Sequence, residues 1–164
     1  MDNDNSYEKT DPQHRQSQES RCLRQSGQQP TKPTLAMNPL PLQIRFNDID
    51  QMGHVNNAVI MEFFDLGKDH FFRSHGLPPE EGDFTVMVVH YEVDFRSQIH
   101  KSDRIAVETA VERFGSKSLT VMQRIVEEGT GRVCAECRTV MAGYRRSIGA
   151  SDVIPDEVKA QLAS

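Results

Sequence analysis

The chain reads as an α+β domain in which a curved antiparallel five-stranded sheet wraps around one long central helix. Three observations predict it. One long apolar stretch of helical period runs from about Asn56 to Ser74, four alternating segments follow it with short connections, and one further β-like segment precedes it. At 164 residues the chain suits a single domain with a real core.

Residues 1–38 contain six Gln and many Asp, Asn, Ser and Pro but few apolar residues, so burial cannot offset their ordering entropy and disorder is expected. Their five basic and five acidic residues fit a mitochondrial transit peptide poorly. An alternative reading makes Met37 the natural start and the upstream residues an extension, which mass spectrometry of the native N-terminus would decide. A domain over residues 40–146 and a tail over 147–164 follow.

Leu42 to Phe46 reads as the first strand, with Leu42, Ile44 and Phe46 on one face. In the helix, Val59, Ile60, Phe63, Phe64, Leu66, Phe71 and Phe72 cover most of the circumference and leave a polar stripe of Glu62, Asp65, Asp69 and Arg73. At ~1.5 Å per residue it extends about 28 Å, which suits a sheet wrapped around it. Gly76-Leu77-Pro78-Pro79 ends it. Strands are expected at Phe84–Phe95, Arg104–Arg113, Ser118–Glu127 and Arg132–Tyr144, consecutive strands being the simplest neighbours. Turn residues fill the gaps, as in Phe114-Gly115-Ser116 and Glu128-Gly129-Thr130-Gly131. Pro155 to Leu162 reads as a short surface helix with Pro at its first position and Asp156 and Glu157 in its first turn.

A net charge of −5 argues against bulk nucleic-acid or anionic-membrane binding. No apolar run approaches the ~20 residues needed to span a bilayer, and no signal-peptide core opens the chain, so a cytoplasmic protein is expected. Three Cys cannot pair fully within one chain. Cys134 and Cys137 have C-x-x-C spacing but fall in an alternating run, without a second such pair, and read as small apolar strand residues. His70 and His75 lie five apart and do not form an i,i+4 metal pair, so no metal site is expected.

Chemistry concentrates in Arg45-Phe46-Asn47-Asp48-Ile49-Asp50-Gln51-Met52-Gly53-His54-Val55-Asn56-Asn57-Ala58. Two carboxylates stand there in a short loop leading into the helix, whose first N–H groups are unpaired donors. This R-x-x-D-x-D-x-x-G-H-V-N-N-A pattern closely resembles the hotdog-fold acyl-CoA thioesterases of the 4-hydroxybenzoyl-CoA thioesterase superfamily. The resemblance covers about residues 40–146, including helix position, strand count and Gly115-Ser116-Lys117-Ser118-Leu119. It implies a hotdog fold and hydrolysis of an acyl-CoA, or acyl-carrier-protein, thioester without a cofactor.

On that footing the last Asp of D-x-D, Asp50, is the catalytic carboxylate, either attacking the thioester carbon or deprotonating water. N–H groups around Asn56 and Asn57 stabilise the oxyanion, with His54 as a further donor or a loop brace. Asp48 reads as a loop-bracing acceptor rather than a second catalytic group, Gly53 as a backbone requirement, and Asn56 or Asn57 as the helix cap. Where relatives often carry Tyr four residues into the helix this chain has Ile60, and the acidic residue beyond is Asp65 rather than Glu, which bears on the shape of the acyl pocket. Another hotdog branch places its carboxylate on the helix, making Asp65 or Glu62 a rival, although i,i+4 pairing explains both without catalysis.

Lys117 and Ser118 match a substrate-contacting segment of relatives and are the first candidates for the CoA phosphates, followed by Arg113, Arg145 and Arg146; solvation explains each equally. An open sheet edge predicts a homodimer or homotetramer with the site shared between subunits. Two other functions compete with hydrolysis. A non-catalytic acyl-thioester-binding domain would bind without releasing thiol. A hydratase ranks last, because the expected D-x-N-P-x-H pattern is absent.

Overall fold

The computed structural model describes residues 37–164. The disorder expected for residues 1–38 lies outside the described residues except at its end, where Asn38 already opens a strand. In chain order the elements are β1 (Asn38–Leu42), a turn of 3-10 helix (Phe46–Asp48), α1 (Asn57–Ser74), β2 (Phe84–Phe95), β3 (Ile105–Phe114), β4 (Ser118–Glu127), β5 (Val133–Arg145), β6 (Ala150–Ser151) and α2 (Asp156–Leu162). The sheet runs β1-β3-β4-β5-β2 with every pair antiparallel, and β6 adds to β5. This is the α+β hotdog architecture. No helix among the described residues is long and apolar enough to cross a membrane.

The four later strands agree with expectation to within about one residue. Their order does not, because β2 is no neighbour of β3 and pairs instead with β5 at the far edge. The link over residues 96–104 crosses between them and passes the helix start, where the Val55 amide donates to the Ile99 carbonyl at 2.8 Å. The first strand also lies earlier than expected. Pro39 and Pro41 suit β1 because among the described residues it is an edge strand paired on one side only. Phe46, expected on its inner face, is 79% exposed on the 3-10 turn, while Leu42 and Ile44 do pack against the core.

α1 is buried through Ile60, Phe63, Phe64, Phe71 and Phe72, whereas Leu66, expected inside, is exposed. Its first half packs with Ile99, Ile105, Ile125 and Cys134, its second half with Leu119, Val121 and Met141. The helix approaches the sheet closely at Gly67, where a Cβ would stand 2.8 Å from the Val107 methyls and 2.9 Å from the Gln123 amide nitrogen. That nitrogen donates to the Phe64 carbonyl at 2.8 Å and to the Thr109 hydroxyl at 3.1 Å, tying helix to sheet inside the core.

α2 begins after Pro155, which occupies the cap rather than the first helical position. It is not purely a surface helix, since Val158 and Leu162 are buried against Phe71, Phe72 and Ile154. Cys134 and Cys137 are both buried and free on β5.

Candidate active site

The loop between β1 and α1 folds back on itself. Ile49 and Val55 form an antiparallel bridge, the Asp50 amide donates to the His54 carbonyl at 2.8 Å, and the Gly53 amide donates to the Asp50 carbonyl at 3.1 Å. Gly53 closes the turn with φ of +83°, a conformation only glycine adopts without strain. At this tip the half-buried Asp50 carboxylate accepts through Oδ1 from the Met52 amide at 2.8 Å and the His54 amide at 3.3 Å. Its Oδ2 has no partner among the described residues and remains open to a ligand or water.

Asp48 has a different environment. It is 1% exposed and accepts from the Arg45 amide at 2.6 Å and from the Arg45 guanidinium at 2.9 and 3.1 Å. Burial alone would push its carboxyl up, but the Arg45 side-chain and backbone hydrogen bonds prevail and hold it below the usual carboxylate range. The same hydrogen bonds and charge raise Arg45 in turn. With both oxygens taken by its neighbour three residues back, Asp48 is a bracing group by geometry. Its carbonyl accepts from the Asn56 amide at 2.8 Å, stitching the loop to the helix start.

Asn56 caps α1, its side-chain oxygen accepting from the Ala58 amide at 2.8 Å. Its own amide is consumed by Asp48, which removes it from the oxyanion donors expected around Asn56 and Asn57. Asn57, the first residue of the helix, is exposed, and its amide has no acceptor among the described residues at the positive end of the helix dipole. Ile60, where relatives often have Tyr, is buried in the core. The His54 ring is half-buried and meets the His100 ring edge-on at 5.1 Å between centroids.

The remaining expected residues lie elsewhere. Lys117 lies in the β3–β4 turn and Ser118 opens β4, next to Leu119, which packs with the second half of α1, so one chain does not bring them to Asp50. Glu62 is exposed and stands 4.0 Å from Arg45. Asp65 is bound at Oδ1 by the Lys68 ammonium at 2.7 Å and the Tyr91 hydroxyl at 2.8 Å. Burial, then the Asp65 hydrogen bond and charge, push the Tyr91 hydroxyl up. Among the described residues no cluster of His, Cys, Asp or Glu could hold a metal ion.

Sequence reasoning missed Arg45 as the clamp on Asp48 and missed Lys68 as a buried ammonium. The signals were present. Arg45 and Asp48 stand three apart at a turn, and Lys68 stands four residues from both Phe64 and Phe72, in line with the buried stripe of the helix.

Residues 44–162 match the thioesterase-like superfamily. Among solved structures, the PA5185 protein of Pseudomonas aeruginosa is 28% identical, with a TM-score of 0.70 over 77% of this chain and 89% of its own. A predicted thioesterase from Bacillus stearothermophilus is also 28% identical, with a TM-score of 0.69 over 77% of this chain and 94% of its own. The SAV2348 protein of Staphylococcus aureus, solved in complex with CoA, shares the fold at 18% identity, with a TM-score of 0.72 over 80% of this chain and 85% of its own.

Proposed function

We propose, since the chain belongs to the thioesterase-like superfamily, that it hydrolyses acyl-CoA thioesters to free acid and CoA, with Asp50 as the catalytic carboxylate. One observation carries the assignment. Of the two loop carboxylates Asp48 is buried and saturated by Arg45, while Asp50 keeps Oδ2 open on a loop tied to the helix start that presents the free Asn57 amide. The CoA complex of the Staphylococcus aureus protein supports CoA as the thiol, with a carrier-protein thioester as the other candidate.

Two routes fit this geometry. As general base, Asp50 takes a proton from water, the hydroxide adds to the acyl carbon, and the Asn57 N–H holds the oxyanion. The C–S bond then breaks and the thiolate leaves, taking up a proton. As nucleophile, Oδ2 itself bonds to the acyl carbon as the C–S bond breaks, and water hydrolyses the resulting anhydride. Heavy-oxygen water in a single turnover labels Asp50 only on the nucleophilic route, when water opens the anhydride at the Asp50 carboxyl carbon, and trapping of an acyl-enzyme detects that route when water adds to the acyl carbon instead.

The working unit is a homodimer or a homotetramer of such dimers. β2 is an edge strand with Met87, Val89 and Phe95 exposed, the surface expected of a sheet continued by a second copy. In such a pair the Asp50 loop of one copy works with pocket residues of the other, and Lys117 and Ser118 serve the CoA phosphates. Thiol release from a panel of acyl-CoAs tests hydrolysis directly. No release from any member, with Asp50→Asn indistinguishable from the parent, sinks it. The competing reading, an acyl-thioester-binding domain without catalysis, draws on the two turn amides at Asp50 Oδ1, which also explain that carboxylate as a loop brace.

A further inference from the structure

Beside the second half of α1 lies a cleft of about 600 Å³, within the range of small-molecule sites. Phe72, Leu77, Phe84, Val86, Met141 and Val158 line it, and Lys68 stands among them. Lys68 is 5% exposed, unusual for a residue that is seldom buried unless paired. Its ammonium donates to Asp65 at 2.7 Å and to the Tyr91 hydroxyl at 2.8 Å, and lies 4.5 Å over the Tyr91 ring. An ammonium has three hydrogens. The third has no acceptor among the described residues.

The charges around that donor restrict what it can receive. Asp65 neutralises Lys68, and Asp69, Glu81 and Asp83 also line the cleft. Asp69 and Asp83 answer Arg73 and Arg145. A second anion entering here would face acidic walls with no free cation among the described lining residues, whereas a neutral oxygen would complete the ammonium's hydrogen bonding without adding charge.

We propose that Lys68 is a specificity-determining residue, and that this cleft takes an acyl group with an apolar body and one neutral oxygen, hydroxyl or keto, in preference to a plain or carboxylate-bearing chain. The inference rests on the thioesterase reading, which supplies the acyl group. Lys68 lies eleven residues beyond Asn57, ~17 Å along the helix, and in the proposed dimer it is the catalytic loop of the second copy that would present the carbonyl to the cleft.

The test uses non-hydrolysable CoA thioethers, so that binding is read apart from catalysis. Calorimetry on the full-length protein compares a decyl thioether, a positional series of its hydroxydecyl counterparts and the chain ending in carboxylate. The best hydroxylated member should bind about tenfold tighter than the plain chain, and the carboxylate should bind weakest. In Lys68→Met the preference ratio should collapse to about unity, and in Lys68→Gln, which keeps a neutral donor, to a few-fold. No preference in the parent, tighter binding of the carboxylate, or a tenfold preference surviving Lys68→Met overturns the proposal. Should Lys68→Met fail to fold, Lys68→Gln decides alone, since an undiminished preference there excludes the ammonium. Discrimination without thiol release would sink the hydrolase reading and leave this one, and release without discrimination would do the reverse.

Discussion

The Asn56 amide donates to the Asp48 carbonyl at 2.8 Å, so the residue that caps the helix is fastened to the residue that braces the loop. Asp48 is held in turn by Arg45. The open carboxylate of Asp50 lies two residues beyond Asp48, and the amide of Asn57 directly follows Asn56. On the proposed assignment, the rigidity of the Asp48–Asn56 pair sets how well the Asp50 carboxylate and the Asn57 amide stay aligned.

Asp48→Asn should destabilise the domain by about 2 kcal/mol, because a buried charge-assisted acceptor becomes a neutral amide beside Arg45. The pH dependence has a definite sign. The Asp48 carboxyl is depressed in the fold, so its contribution is complete above the usual carboxylate value of ~4 and disappears as pH falls through the folded value. Thermal melts should show parent and variant well separated at neutral pH and converging in acid. A gap that widens in acid would contradict the assignment.

Asp50→Asn and Asp50→Ala should differ in stability but not in activity. Asparagine keeps an oxygen for the Met52 and His54 amides, whereas alanine releases both. Both variants should lower thiol release by about 10²- to 10⁴-fold, and only alanine should lower the melting midpoint noticeably. Full activity in the asparagine variant would transfer the chemistry elsewhere.

Gly67→Ala sets two effects against each other. Alanine improves helix propensity by ~1 kcal/mol, but its methyl would stand 2.8 Å from the Val107 methyls, in a core already anchored by Gln123. Overpacking of this kind costs about 1–3 kcal/mol, so a net loss is expected in chemical denaturation.

Lysines at Met87 and Phe95, both exposed on β2, should block strand addition at that edge. Sedimentation equilibrium should show the double variant as a monomer where the parent is a dimer or larger. If the site is shared, thiol release should vanish with the dimer.

The helix and the later strands were legible because each carries a strong period and clear punctuation. Strand order was not, since whether β2 pairs with β3 or with β5 depends on which faces and edges meet, and the alternation of Val86 to Val93 is silent on that. Ending the first strand at Leu42 required knowing that Arg45 turns back onto Asp48, a local hydrogen bond that outcompetes extension. In the loop, residue types suggested the division between a bracing Asp48 and an open Asp50, but that the Asn56 amide is already taken depends on how the loop folds back onto the helix start. Lys68 was hidden for a simpler reason. A lysine on a helix is read as solvated, and its burial depends on Tyr91, twenty-three residues away.

The two rims of the sheet are not equivalent. On β1, Pro39 and Pro41 have no N–H to offer, so that rim cannot template another strand, whereas β2 presents a long rim without proline. Growth by strand addition is thus one-sided. Two molecules joined rim to rim through β2 would turn a proline-blunted border outward at both ends, so the sheet terminates itself at two copies and cannot propagate into a fibre.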